Sequence, residues 1–176
     1  MSLGLHKDKV ELMSYTTEWA NEFKKEKAIL EKLLHGYALA IEHVGSTSIP
    51  GLSAKPVLDI AVAVKDLDTL RKLIPLLSEN GYEVTDSIDT KEEIFARKGI
   101  SELCTHYIHL EVIGNTYWKN HILFRDYLLQ HPEVIKEYEA LKQKLSTEHK
   151  EEREKYTSAK NEFIQRFLGL VELEQD

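Results

Sequence analysis

A chain of 176 residues fits one domain by the usual length of roughly 100–200 residues, and is long enough to fold without a metal or disulfide staple. Its 42% hydrophobic and 30% charged residues are those of a globular protein, and a net charge of −7 argues against an extended nucleic-acid surface while leaving room for a local basic pocket around one nucleotide. A single cysteine, Cys104, precludes an internal disulfide, and no apolar run reaches the roughly 18 residues of a membrane span, so a cytoplasmic protein with no membrane partner is expected.

Residues 1–9 lack the apolar core of a signal peptide and read as a loose N-terminal tail ahead of one domain over residues 10–170. Between Thr17 and Leu34, the apolar Ala20, Phe23, Leu30 and Leu34 recur at helical spacing, with Thr16 or Thr17 placed to cap the start and Gly36 to end it. Tyr37 to Val44 reads as a strand stopped by Gly45. The following GSTSIPGLSAKP is dense in Gly, Ser and Pro, a turn with room for at most one helical turn.

Val57 to Val64 is almost wholly apolar, the pattern of a strand covered on both faces, and only Asp59 interrupts it. Leu67, Leu70, Leu73, Ile74 and Leu77 form a second helical stripe closed by Asn80-Gly81, in which Pro75 predicts a kink or an early end. Tyr82 to Thr85 and Glu93 to Lys98 read as short strands joined by a polar loop, and Thr105 to Ile113 as a longer alternating strand. From Tyr117 the pattern is helical, broken at His131-Pro132, and Tyr156, Ala159, Phe163 and Phe167 stripe the last helix. The charged run His149 to Lys155 reads as a solvated helix face. A sheet covered by helices follows from this order.

Two places stand out chemically. A lone carboxylate in an apolar strand is costly unless it meets a cation, and Ala61 and Ala63 on the same face as Asp59 leave space above it. The Gly45-Ser46-Thr47 turn offers backbone N–H groups and hydroxyls to phosphate oxygens, while a nearby carboxylate can hold Mg²⁺. The plainer alternative is a simple turn, with Asp59 paired to a base such as Lys55. In THYIHLEVI, alternation puts Tyr107, His109 and Glu111 on one face and His106 on the other. If that strand neighbours the Asp59 strand, two acids and an imidazole converge on one metal or phosphate. Glu42 and His43 lie on opposite faces of their strand, and either can be the one facing the pocket. Lys155 and Lys160 flank the last stripe within reach of phosphates, Arg125 and Asp126 can pair with neighbours, and Cys104 reads as a buried thiol.

The strings IEHVGSTSIPGLSAKPVLDIAV, THYIHLEV, FRDYLLQHPEVIKEYEALK and YTSAKNEFI, in this order and with Trp19 near the start, resemble the GrpB family over nearly the whole chain. The resemblance implies an α/β (α+β) nucleotidyltransferase-like fold, a small mixed sheet flanked by helices with a helical C-terminal part. That superfamily couples a Gly-Ser turn to a strand with two acids one residue apart and a third acid on a later strand, which in catalytic members hold two Mg²⁺ ions.

Mapped onto this sequence, the turn is Gly45-Ser46, the first acid Asp59 and a possible third acid Glu111, while His109 matches a histidine of the family's later strand. The second acid position holds Ala61, and Tyr107 stands where the family often has another histidine. One expectation is a metal-dependent nucleotidyltransferase using Mg²⁺ (or Mn²⁺) and a nucleoside triphosphate, with an unknown acceptor. Asp59 and Glu111 would hold the metal, His109 would be a further ligand or general base, and Lys55, Arg125 or Lys160 would neutralise phosphate charge. The alternatives are a nucleotide- or metal-binding module that has lost transfer with Ala61, or an interaction and folding accessory.

Overall fold

The computed structural model describes residues 3–6, 9–85, 93–100 and 102–174. In chain order the elements are β1 (Leu5–His6), α1 (Glu18–Leu33), β2 (Ala38–Val44), a 3-10 turn (Ser46–Ser48), β3 (Leu58–Val64), α2 (Leu67–Glu79), β4 (Glu83–Val84), β5 (Glu93–Ile100), β6 (Leu103–Val112), α3 (Thr116–Gln130), α4 (Pro132–Glu148) and α5 (Arg153–Glu174). This is the α+β architecture expected, a small mixed sheet with a helical C-terminal part. Among the described residues no helix is long and apolar enough to cross a membrane.

The sheet runs β2-β3-β6-β5-β4, with β1 also on β6; β3 and β6 are parallel and the other pairs antiparallel. The Asp59 strand therefore does neighbour the THYIHLEVI strand, with Asp59 opposite Tyr107, Ala61 opposite His109 and Ala63 opposite Glu111. Strand alternation splits the sheet into two chemically different faces. On one, Ile60, Val62, Val64, Ile108 and Leu110 meet Leu30 and Leu34 of α1 and Leu70, Leu73 and Leu77 of α2 in the main core. On the other, Asp59, Ala61, Tyr107, His109 and Glu111 look toward α3. A second apolar cluster (Ile49, Leu52, Leu128, Val134, Tyr138, Phe163 and Phe167) ties α3, α4 and α5 to the segment after the Gly-Ser turn.

Several expectations change. Helix α2 does not end early: it runs through Pro75 to Glu79, because Leu70, Leu73 and Leu77 are fully buried on both sides of the proline and hold the chain in register. Their burial outweighs the missing N–H of Pro75. The N-terminal residues expected as a loose tail are not all loose: Leu5 and His6 pair with Cys104 and Leu103, and Leu5 is 4% exposed.

The charged run from His149 is not one helix face. It spans the break between α4 and α5, and Arg153 at its far side turns inward to the Tyr107 hydroxyl. The polar loop expected after Thr85 lies outside the described residues. Cys104 is buried, and burial pushes its thiol pKa up, as expected of an inert thiol.

Candidate functional site

Between the polar sheet face and the three C-terminal helices lies a pocket of about 550 Å³. Its floor is built by β2 turning sharply into β3. Gly45 makes that turn at φ +67, and a Cβ there would sit 2.5 Å from Asp59 Oδ2. Only glycine allows both the left-handed backbone and this approach, so the Gly-Ser turn and the lone acid form one unit.

The 3-10 turn is closed by Ser48, whose Oγ donates to Gly45 O at 2.7 Å. Ser46 and Tyr138 both line the pocket. Thr47 lines the pocket too, but its hydroxyl is engaged by His43 Nε2 at 2.9 Å.

Asp59 is half-buried. Burial pushes its carboxyl pKa up, yet the hydrogen bond and charge of His109, with the charges of Lys160 and Lys55, bring it below the usual value. His109 Nε2 stands 3.5 Å from Asp59 Oδ1, and Nδ1 stands 3.2 Å from Glu93 Oε1. Burial alone would lower the imidazole pKa; the two acids carry it up to about 9. In that state the imidazolium donates to both acids.

Cations dominate the opposite wall. Lys55 follows the turn, Lys142 comes from α4, and Arg153 and Lys160 come from α5. Tyr156 lies between two of them, with Lys55 Nζ 5.5 Å and Lys160 Nζ 5.8 Å from its ring centre. Burial, then repulsion from Lys160 and Arg153, lowers the Lys55 pKa to about 7, and burial with repulsion from Lys160 brings Lys142 to about 7. The pKa of Lys160 is lowered chiefly by burial. Mutually repelling, half-desolvated cations form a site that an anion would relieve. Phe95, Tyr107 and Phe124 add flat apolar surface to the same space.

Of the residues expected from sequence, Gly45, Ser46, Thr47, Lys55, Asp59, His109 and Lys160 are brought together on this pocket. Arg125 is not. Its Nη1 donates to Glu42 Oε2 at 2.7 Å and to His43 O at 3.2 Å, and its Nε donates to Asp126 at 2.8 Å. Glu111 does not line the pocket either; it is fully buried beneath it, 2.9 Å from His121 Nδ1. Lys155 pairs with Glu152 at the surface.

The pairing of β2 with β3 answers the Glu42–His43 question: Glu42 lies opposite Ala61 on the Asp59 face. His43 points the other way and stacks on Phe23, 4.7 Å between ring centres. His121, Lys142, Arg153 and Tyr138 were missed. Lys142 did leave a trace, since it repeats the helical spacing of the apolar Val134, Tyr138 and Leu145.

Among the described residues one group of three has metal-ligand character: donor atoms of His109, Glu111 and His121 lie within 4.8 Å of one another.

The family model described as GrpB protein matches residues 9–169. The chain is 35% identical over 171 residues to the glutamate-rich protein GrpB of Alkalihalophilus pseudofirmus, covering 95% of this chain and 98% of that protein. It is also 35% identical over 158 residues to the UPF0157 protein YqkA of Bacillus subtilis, covering 90% of this chain; it spans about half of that longer relative, 46% of its length. Among solved structures, the crystal structure of conserved protein GrpB from Enterococcus faecalis superposes with a TM-score of 0.76 at 28% identity, over 90% of this chain and 99% of that one. The Cid1 poly(U) polymerase in its MgGTP-bound structure gives a TM-score of 0.51 at 11% identity, over 76% of this chain and 44% of that chain. That is a likeness of fold alone.

Proposed function

The chain belongs to the GrpB family, and we propose that its pocket binds the polyphosphate of a nucleoside triphosphate and transfers the nucleotidyl group to an acceptor, the α-phosphorus exchanging its bond to pyrophosphate, which leaves, for one to the acceptor. One observation carries this reading: Lys55, Lys142, Arg153 and Lys160 converge on the same space as the Gly45-Ser46 turn and Asp59. Four cations around a cavity of nucleotide size suit several phosphate charges better than one carboxylate or a neutral ligand. The nucleotidyltransferase-like fold supports the same reading.

Mg²⁺ and Mn²⁺ prefer oxygen ligands and often take one or two carboxylates plus substrate phosphates. Asp59, partly exposed to the pocket, fits such an ion arriving on the triphosphate; Ala61 offers nothing to a second. The ion would supply charge neutralisation at the phosphorus under attack. The chain's own part is positional. The Gly45-Ser46 backbone and the Ser46 hydroxyl orient phosphate oxygens, the four cations hold developing negative charge, and the His109 imidazolium keeps Asp59 ionised and aimed. We take residues 10–170 as the unit that carries this activity, and the cytoplasm, where nucleoside triphosphates are plentiful, as its setting.

Ala61 specifically favours a second reading, binding without transfer. The deciding experiment adds each of the four nucleoside triphosphates, with Mg²⁺ or Mn²⁺, to the wild type and to Asp59→Asn, following melting temperature and label transfer from the α-phosphate. A metal-dependent rise of several degrees, lost in the variant and accompanied by labelled product, supports transfer. A rise without product supports the binder. No rise with any nucleotide removes both.

A further inference from the structure

We propose that His109, Glu111 and His121 form a site for one borderline transition-metal ion of the Zn²⁺ or Fe²⁺ class, with the two histidines at the pocket wall and Glu111 buried behind them. Alternation on β6 puts His109 and Glu111 on the same face, and the second turn of α3 lays His121 over them. The two imidazole rings are 4.6 Å apart between centres and inclined at 56°. A donor atom from each of the three residues falls within 4.8 Å of the others, the span of ligands around a single ion.

Glu111 gives the independent reason to expect a cation. Its side chain has no exposed surface, and its carboxylate faces His121 Nδ1 at 2.9 Å in an ion-pair contact that lacks hydrogen-bond geometry. Its cross-strand neighbour on β5 is another acid, Glu93. Two carboxylates directly opposite in an antiparallel pair repel, and a buried one without hydrogen bonds is among the costliest groups a protein can hold. An ion bound to Glu111 would remove both penalties.

The donor set selects the ion. Two imidazole nitrogens and one carboxylate oxygen suit Zn²⁺ or Fe²⁺; Mg²⁺, Mn²⁺ and Ca²⁺ favour oxygen surroundings. Glu93, 3.2 Å from His109 Nδ1, adds the carboxylate contact that commonly orients a metal-binding histidine. A His109 nitrogen binds metal only after losing its proton, so the metal-bound state and the imidazolium state are alternatives, and neither requires a nucleotide in the pocket.

The test uses the full chain stripped with chelator, then titrated with Co²⁺ or Zn²⁺ without nucleotide, desalted and assayed for bound metal by mass spectrometry and for the Co²⁺ visible spectrum. We expect about one ion per chain in the wild type. In His121→Asn and Glu111→Gln affinity should drop by at least the roughly 10–100-fold that losing an orienting partner alone costs a metal site. A wild type that retains no metal overturns the site, whatever the variants do. So does equal retention in both ligand variants, with folding checked by circular dichroism. Failure of the nucleotide reading leaves all these outcomes unchanged.

Discussion

The two faces of the sheet are cut from the same strands and differ in nearly every side chain. Against α1 and α2, β3 presents Ile60, Val62 and Val64, each with no exposed surface. Against α3 it presents Asp59, Ala61 and Ala63; the helices above return three cations, and Lys55 from the segment before β3 is the fourth. The apolar face gains from every contact. The polar face holds charges where burial penalises them, so its arrangement answers to something other than stability.

The largest contrast should come from damaging the apolar face. Leu73→Ala empties a fully buried position and should cost about 2–5 kcal/mol in urea unfolding, while leaving the nucleotide-induced melting shift of the folded protein in place. Gly45→Ala should cost about 1–3 kcal/mol through the forced left-handed backbone and the clash with Asp59, and should abolish that shift as well. A Gly45→Ala protein that still responds fully to nucleotide would break the link between turn and pocket.

Lys142→Met should act in the opposite direction. Lys142 titrates at about 7 in the folded protein but at roughly 10.4 when unfolded. Between those values the unfolded chain binds the extra proton, so this lysine makes wild-type stability rise with pH. Below about pH 7 it is charged in both states and its burial penalty is complete. The variant should therefore be more stable than wild type by about 1 kcal/mol or more at pH 6, with the advantage fading toward pH 10, and its nucleotide shift should be smaller. A variant less stable at pH 6 would place Lys142 among the structural residues.

The smallest effect belongs to a charged cluster on the apolar side. There the buried Glu26 accepts from Tyr82 at 2.6 Å and from Lys98 at 2.8 Å. Tyr82→Phe should cost about 1 kcal/mol by thermal unfolding, since Lys98 still satisfies the acid, and should leave nucleotide response untouched.

How much of this was legible depended on what each residue type says by default. Asp59 stood out because an acid inside VLDIAVAV has no ordinary explanation, and period-two alternation then paired His109 with Glu111 before any strand order was known. Lysines and arginines on helices carry no such alarm, because a solvated face is their usual place. Arg125 was therefore chosen for the pocket when it serves Glu42. Lys142 and Arg153 were passed over because only the docking of α4 and α5 turns them inward. His121 needed the packing of α3 on β6, a long-range fact that no local pattern encodes. Pro75 misled in part for the converse reason: local chemistry argued for a kink or an early end, and the helix runs on past it along a buried leucine stripe.

The pocket draws its acid and its cations from distant parts of the chain. Asp59 is made early, while Lys142, Arg153 and Lys160 follow more than eighty residues later. During synthesis the ribosome releases the carboxylate and its glycine turn long before the opposite wall exists. The nascent N-terminal part thus lacks three of the four phosphate-facing cations. Anion affinity should switch on in one late step, when α5 docks, so that a ligand captured there would also seal the last helix onto the sheet.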